Sequence, residues 1–313
     1  YSDATKGWLP VSDDAVAFDH TAPPTQKAIF GYGSDGSGKL SMTNLVNSSG
    51  VVATDVTGVG TARHGLAAAG YGGDKGIFGY GYSSSSAVSM SNLVSNSGVI
   101  ASDVSGVGTA RNDLAAAEYG LDKAIFGYGK YPGESMTNKV SNSGVVATDT
   151  TGVGTGRMNP GAASYGLTGQ AIFAYGYIGN TDSYLSMSNL VSNSGVVASD
   201  VSGVGTARKS LAAAEYGSTG QAIFAYGYTG SVVSLKNLVS NTGVVASDVS
   251  GVGTARGALA AASYGGDKAI FGYGAATYSL TNLVSNTGVV SADVTGVGTG
   301  RTQLAACEFS YAA

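Results

Sequence analysis

Lys27-Ala28-Ile29-Phe30-Gly31-Tyr32-Gly33 is written six times in this chain. It returns at 75–81, 123–129, 170–176, 221–227 and 268–274, with Gln for Lys in two copies and exchanges between Ala and Gly. Its Phe falls at 30, 78, 126, 173, 224 and 271, at gaps of 48, 48, 47, 51 and 47 residues. A period near 48 lies in the range of propeller blades. Within each copy two spacings never change. Asn44, Asn92, Asn138, Asn189, Asn237 and Asn282 each precede an Asp by 11 residues, and that Asp precedes an Arg by 8. Phe to Asn, in contrast, runs to 14, 14, 12, 16, 13 and 11 residues. A rigid frame therefore carries one loop of free length per repeat, directly after Gly-Tyr-Gly.

Each copy reads as four short strands. In the second copy these are Leu66 to Tyr71, Lys75 to Tyr80, Val88 to Val94 and Val99 to Val104, with Gly-Gly-Asp and Ser-Asn-Ser-Gly turns between. Val, Ile, Phe and Tyr favour the pleated backbone, and Gly or Asn-x-Gly marks its turns. Recurrent Gly and crowded Val and Thr argue against helix. The Ala triplets (67–69, 115–117, 212–214) fit an innermost strand, where six strands crowd an axis. The chain enters at Lys27 with a second strand lacking its first, and ends with a spare first strand, Leu304 to Phe309. The expected fold is all-β: one six-bladed β-propeller of four-stranded blades over 27–313, its C-terminal strand closing the N-terminal blade. Residues 1–26, with Trp8 and three of the five Pro, carry no repeat and read as an N-terminal arm resting on the ring or on a partner.

Composition narrows function. The 313 residues include 50 Gly, 16 Lys and Arg, and 20 Asp and Glu, for a net charge of −4 and only 12% charged residues. That is a poor electrostatic footprint for nucleic acid or anionic membrane, and no apolar run approaches the roughly 18 residues of a membrane helix. A lone Cys307 permits neither an internal disulfide nor a thiolate zinc cage. His20 and His64 are the only histidines.

Arg111 to Gly129, RNDLAAAEYGLDKAIFGYG, resembles the kelch repeat of β-propellers: Arg, Ala-Ala, aromatic-Gly, then an apolar-aromatic strand ending Gly-x-Gly. The resemblance covers about residues 27–310, with Gly-Tyr-Gly in place of the Gly-Gly doublet and no Trp in the fourth strand. The repeats are also similar to repeat proteins of environmental bacteriophages. That resemblance implies a virion component such as a fibre, spike or capsid decoration, outside the cell. The alternative is a secreted or surface lectin-like propeller of a bacterium.

Strand order places the variable loops on one face, beside the constant Gly-Val-Gly-Thr-Ala/Gly-Arg connections. Loops on a rigid scaffold commonly carry binding. Tyr82, Tyr131, Tyr177, Tyr184, Tyr228 and Tyr278 flank them. Each either stacks on a host glycan or docks on protein, or caps a blade edge. The six Arg either ring a tunnel mouth for an anion or pair with the Asp 8 residues earlier. Structural pairing is the stronger reading: Asp55–Arg63, Asp103–Arg111, Asp149–Arg157, Asp200–Arg208, Asp248–Arg256 and Asp293–Arg301. Glu118, Glu215 and Glu308 approach threefold symmetry near the axis. They are candidates for a cation or water cluster, set against solvation in the tunnel or bonds to neighbouring blades. The sequence holds no catalytic constellation, and its Gly-x-Gly strings open no helix, so they are not phosphate loops. The expected protein is a non-enzyme without cofactor, meeting a host-surface glycan or protein through its loops and other virion proteins through its arm.

Overall fold

The repeated Ala-Ile-Phe cores form strands that no face leaves to solvent. Ala28, Ile29 and Phe30, like their counterparts in every copy, are fully buried. In the computed structural model, which describes residues 26–310 and the backbone of 2–3 and 7–8, each is the middle strand of a three-stranded antiparallel sheet. A short ribbon of β1 (Ser2–Asp3) and β2 (Gly7–Trp8) comes first. The arm expected at 1–26 otherwise lies outside the described residues.

The first sheet joins the two ends of the sequence: β20 (Ala305–Phe309), β3 (Lys27–Gly31) and β4 (Thr43–Val46). The second holds β5 (Ala67–Tyr71), β6 (Lys75–Gly79) and β7 (Ser91–Val94). The third holds β8 (Ala115–Tyr119), β9 (Lys123–Gly127) and β10 (Thr137–Val140). The fourth holds β11 (Gly161–Tyr165), β12 (Gln170–Ile178) and β13 (Ser183–Val191). The fifth holds β14 (Ala212–Tyr216), β15 (Gln221–Ala225) and β16 (Lys236–Val239). The sixth holds β17 (Ala260–Tyr264), β18 (Lys268–Gly272) and β19 (Thr281–Val284). In this sheet Cys307 pairs with Ile29 and Phe309 with Lys27. The described residues contain no helix, and the arrangement is propeller-like.

The expected fourth strand is not a ladder. Val99 to Val104 and its counterparts touch the third strand only through isolated bridges, such as Val94 to Ile100 and Ser91 to Val104. Between Leu93–Ala101 and Ser91–Val104 the outer segment advances three residues against two, a bulge that breaks the ladder. The bulge also redirects a side chain. Asp103 turns back to the sheet, where Asn92 Nδ2 donates to it at 2.9 Å and to the Ala101 carbonyl at 3.0 Å.

Neighbouring sheets pack through one recurring contact. The buried Tyr after each middle strand meets the Phe of the next sheet edge-on or tilted. The pairs are Tyr32–Phe78, Tyr80–Phe126, Tyr128–Phe173, Tyr175–Phe224, Tyr226–Phe271 and Tyr273–Phe30, at 5.1–5.5 Å between centroids. The last pair returns to the first sheet. Glycine makes room for the contact: a Cβ on Gly31 would lie 2.8 Å from the Phe78 ring, and one on Gly79 2.6 Å from Phe126.

The Asp–Arg pairing differs from the sequence expectation. The eight residues from Asp55 to Arg63 carry the chain from one sheet to the next, so these two side chains belong to different sheets. The same holds for Asp103 and Arg111, Asp149 and Arg157, Asp200 and Arg208, Asp248 and Arg256, and Asp293 and Arg301. Each Arg opens a sheet and faces the Asp that ends that same sheet. Arg111 lies 3.9 Å from Asp149, Arg208 3.9 Å from Asp248, Arg256 3.8 Å from Asp293 and Arg301 3.8 Å from Asp55. Nor do the six Arg ring an open mouth, because all are fully buried. Arg63 donates to Asn92 Oδ1 (2.7 Å), to the Tyr80 carbonyl (2.8 Å) and to the Thr61 carbonyl (3.1 Å), while its guanidinium lies 4.3 Å over the Tyr32 ring. Five donors and a cationic π-plane suit Arg alone.

Candidate functional site

Two stretches differ from copy to copy while the frame repeats. One is the loop after Gly-Tyr-Gly. The other is the pair of residues after each Arg: His64-Gly65, Asn112-Asp113, Met158-Asn159, Lys209-Ser210, Gly257-Ala258 and Thr302-Gln303. Sequence reasoning weighed only the first; residue exchange at fixed length was the signal for the second. The structure joins them. In every sheet the first residue of the pair hydrogen-bonds the first loop residue. Met158 exchanges bonds with Tyr177 and Lys209 with Tyr228, and Ser34 does so with Thr302 across the chain ends.

The second residue of each pair takes a left-handed backbone, with φ between 50° and 60°. That turns its N–H to the preceding copy's carbonyl. Asp113 donates to Gly65, Asn159 to Asp113, Ser210 to Asn159, Ala258 to Ser210, Gln303 to Ala258 and Gly65 to Gln303, at 2.7–3.1 Å. This cycle of six bonds surrounds a cavity of about 80 Å³ on the axis. Asp113 faces it, and burial raises its carboxyl to about 6 against the opposing charge of Lys209. Loop face and axial mouth are thus one continuous surface made of the variable residues.

On that surface the loop tyrosines divide. Tyr177, Tyr184 and Tyr228 gather at the longest loop, where β12 and β13 extend to nine residues each. Tyr177 and Tyr184 lie 5.7 Å apart, and Tyr184 and Tyr228 6.2 Å. Tyr131, 65% exposed, leans toward them over Gly179, where a Cβ would come within 2.5 Å of its ring. Lys209 Nζ stands among them, 3.7 Å from the Tyr177 centroid, 5.6 Å from Tyr184 and 5.9 Å from Tyr228. Tyr177 donates to Asp182 at 2.7 Å, and that bond pushes its phenol up to about 12. Tyr82 stands elsewhere, beside His64 and under Lys39, whose Nζ is 4.9 Å from its ring. Tyr278 is 37% exposed and makes no ring contact with the cluster.

The opposite mouth of the axis opens into a larger cavity of about 380 Å³, lined by Tyr71, Tyr216, Phe309 and the three channel glutamates. Glu118 and Glu308 bring their carboxyls together beside Gly70. Burial raises Glu118 well above its ordinary value, and the charges of Glu308 and Glu215 add to it. Burial raises Glu308 too. Gly70 admits the pair, since a Cβ there would lie 2.6 Å from Glu308 Oε1 and 3.0 Å from Glu118 Oε2. Glu215 is raised to about 7 by burial and accepts from Ser164 Oγ at 2.6 Å. The three carboxyls are thus divided: Glu118 and Glu308 meet at Gly70, and Glu215 is held by a serine. Among the described residues no three His, Cys, Asp or Glu side chains are placed to hold a metal ion. No protein-family model matches the chain, and no curated protein matches it.

Proposed function

We propose that this protein is a closed six-bladed β-propeller that works as a non-enzymatic binding protein outside the cell. In this reading it is a virion component that presents its loop face to a host-surface glycan or protein. Closure is supported by the pairing of β20 with β3 and by the six-membered cycles of Tyr–Phe contacts and axial hydrogen bonds. Four-stranded blades are supported by the bridged outer segment, counted as a bulged fourth strand. A non-enzymatic role is supported by the use made of the reactive groups. Cys307 is buried in the cluster of Ile29, Phe78, Val94 and Phe309, and the carboxyls of Glu118 and Glu308 are packed together at Gly70.

The observation that carries the binding role is the cluster of Tyr177 and Tyr184 on the longest loop with Tyr131 and Tyr228 from the neighbouring loops, where both variable stretches converge. Tyrosine gives broad, amphipathic contact at low entropic cost. Binding of the purified protein to host cells and to a glycan array tests it. Tyr184→Ala with Tyr228→Ala should weaken attachment at least tenfold at unchanged Tm. Unchanged attachment, or its loss on altering the Ser95 to Gly98 turn instead, overturns it. Mass spectrometry of purified particles tests the virion assignment.

A further inference from the structure

We propose that the tyrosine cluster takes an anionic saccharide, with Lys209 as the residue that selects its carboxylate or sulfate. This rests on the binding role proposed for the loop face. Among the described lysines, Lys75, Lys123, Lys268 and Lys130 each face a carboxylate and Lys139 and Lys236 donate to carbonyls, while Lys27, Lys39 and Lys209 have no such partner, and Lys39 lies over the single ring of Tyr82. Lys209 Nζ has neither an ion pair nor a hydrogen bond; it rests on three tyrosine rings.

Contact with those faces fixes the ammonium in place without using its N–H donors, because a cation over a π-face is held by the ring quadrupole. The donors remain free for charge-assisted bonds to an anionic oxygen, the stronger class of hydrogen bond. Asp113 feels the charge of Lys209 but lies beyond ion-pair distance, and Asp182 is engaged by Tyr177. The surroundings specify a sugar rather than an acidic peptide. The exposed Tyr131 ring offers a face for a pyranose, and Asn180, Thr181, Ser183 and Thr229 supply uncharged donors and acceptors for its hydroxyls. Lys209 also differs from every residue at its position in the other copies, as expected of a selecting rather than a structural residue.

Titration calorimetry of the full chain tests this with three probes of matched length: oligogalacturonate (carboxylate), carrageenan oligosaccharide (sulfate) and neutral galactan oligosaccharide. An acidic probe should bind at least tenfold more tightly than the neutral one, and its affinity should fall with added salt. Lys209→Met, which keeps an apolar stem among the rings, should remove that preference, while Lys209→Arg retains it. The two acidic probes tell carboxylate from sulfate. The salt dependence on the unaltered protein stands even where a variant folds poorly. Neutral galactan binding as tightly as either acidic probe, with Lys209→Met without effect, overturns the selection by Lys209 and leaves the binding face intact. Binding of an oligoglutamate peptide but of no saccharide overturns the sugar class. No binding by any of them overturns both this inference and the glycan reading of the face.

Discussion

Single residues do unusual work in a chain with so few charges. Six Arg are buried without exposure, and each donates to an Asn whose other end is fixed by an Asp, while Nε of Arg157 and of Arg301 is left without a partner among the described residues. Burial raises each of these Asp carboxyls, but bonds from Asn and Thr and the nearby Arg charge outweigh it, so Asp103 and its counterparts stay below their ordinary value. Removing one member of such a network leaves a buried charge short of partners. Asn237→Ala, which deletes bonds to Arg208, Ala246 and Asp248, should cost about 3 kcal/mol in denaturant unfolding. The axial carboxyls give the opposite titration. Glu118, Glu215, Glu308 and Asp113 hold their protons more tightly folded than unfolded. Their contribution is complete below the unfolded values near 4 and is lost as pH rises through about 6 to 7. His64, lowered by burial, works against this trend, and the low Asp carboxyls act only below about pH 4. Tm should therefore be higher at about pH 5 than at about pH 8, and Glu215→Gln should flatten the difference. A Tm that rises over that interval would contradict the buried protonated carboxyls.

At the scale of elements, neighbouring strands are fitted to each other copy by copy. β6 has Gly76 where the other middle strands have Ala, and β20 has Cys307 where the other inner strands have Ala. These two departures meet: a Cβ on Gly76 would lie 2.5 Å from Cys307 Sγ. Gly76→Ala alone should overpack the contact between the first and second sheets and cost about 1–3 kcal/mol. In a Cys307→Ala background most of that loss should disappear, and a double-mutant cycle in urea measures it. Equal losses in both backgrounds would show that the cost arises within β6. The same scale explains the outer segment. Its bulge gives up ladder bonds but aims Asp103 at Asn92 and at Thr61, whose N–H and hydroxyl reach it at 3.0 and 2.7 Å.

For the whole molecule, the contacts that join the chain ends are the ones repeated within every other sheet. Arg301 donates to Asn44 at 2.6 Å and Thr299 to Asp55 at 2.8 Å, across more than 240 residues. Each sheet buries its faces only against two neighbours, so no sheet is stable alone. Deleting residues 304–313 removes β20 and one wall of the axis. It should lower Tm far more than shortening the loop at Tyr177 to Tyr184 does, and should broaden the calorimetric transition. Equal melting of the truncated and full chains would rule out closure as the source of stability.

The all-β class, the six copies and the fixed spacings within them were legible in the sequence because each depends on local pattern. Period, strand-forming residues and fixed offsets are properties of neighbours along the chain. The loop tyrosines were legible as candidates for the same reason: nearly all the variation in length fell there. What lay beyond the sequence was which partners meet across sheets. Asp103 and Arg111 stand at a constant offset, yet that offset spans the passage between sheets, so distance along the chain gave the wrong partner. The gathering of Tyr131, Tyr177, Tyr184 and Tyr228 around Lys209, and the pairing of Gly76 with Cys307, bring together residues from different copies. Only the lateral packing of sheets about a common axis sets those distances, because the fit is decided by side-chain volumes and hydrogen bonds between segments tens of residues apart.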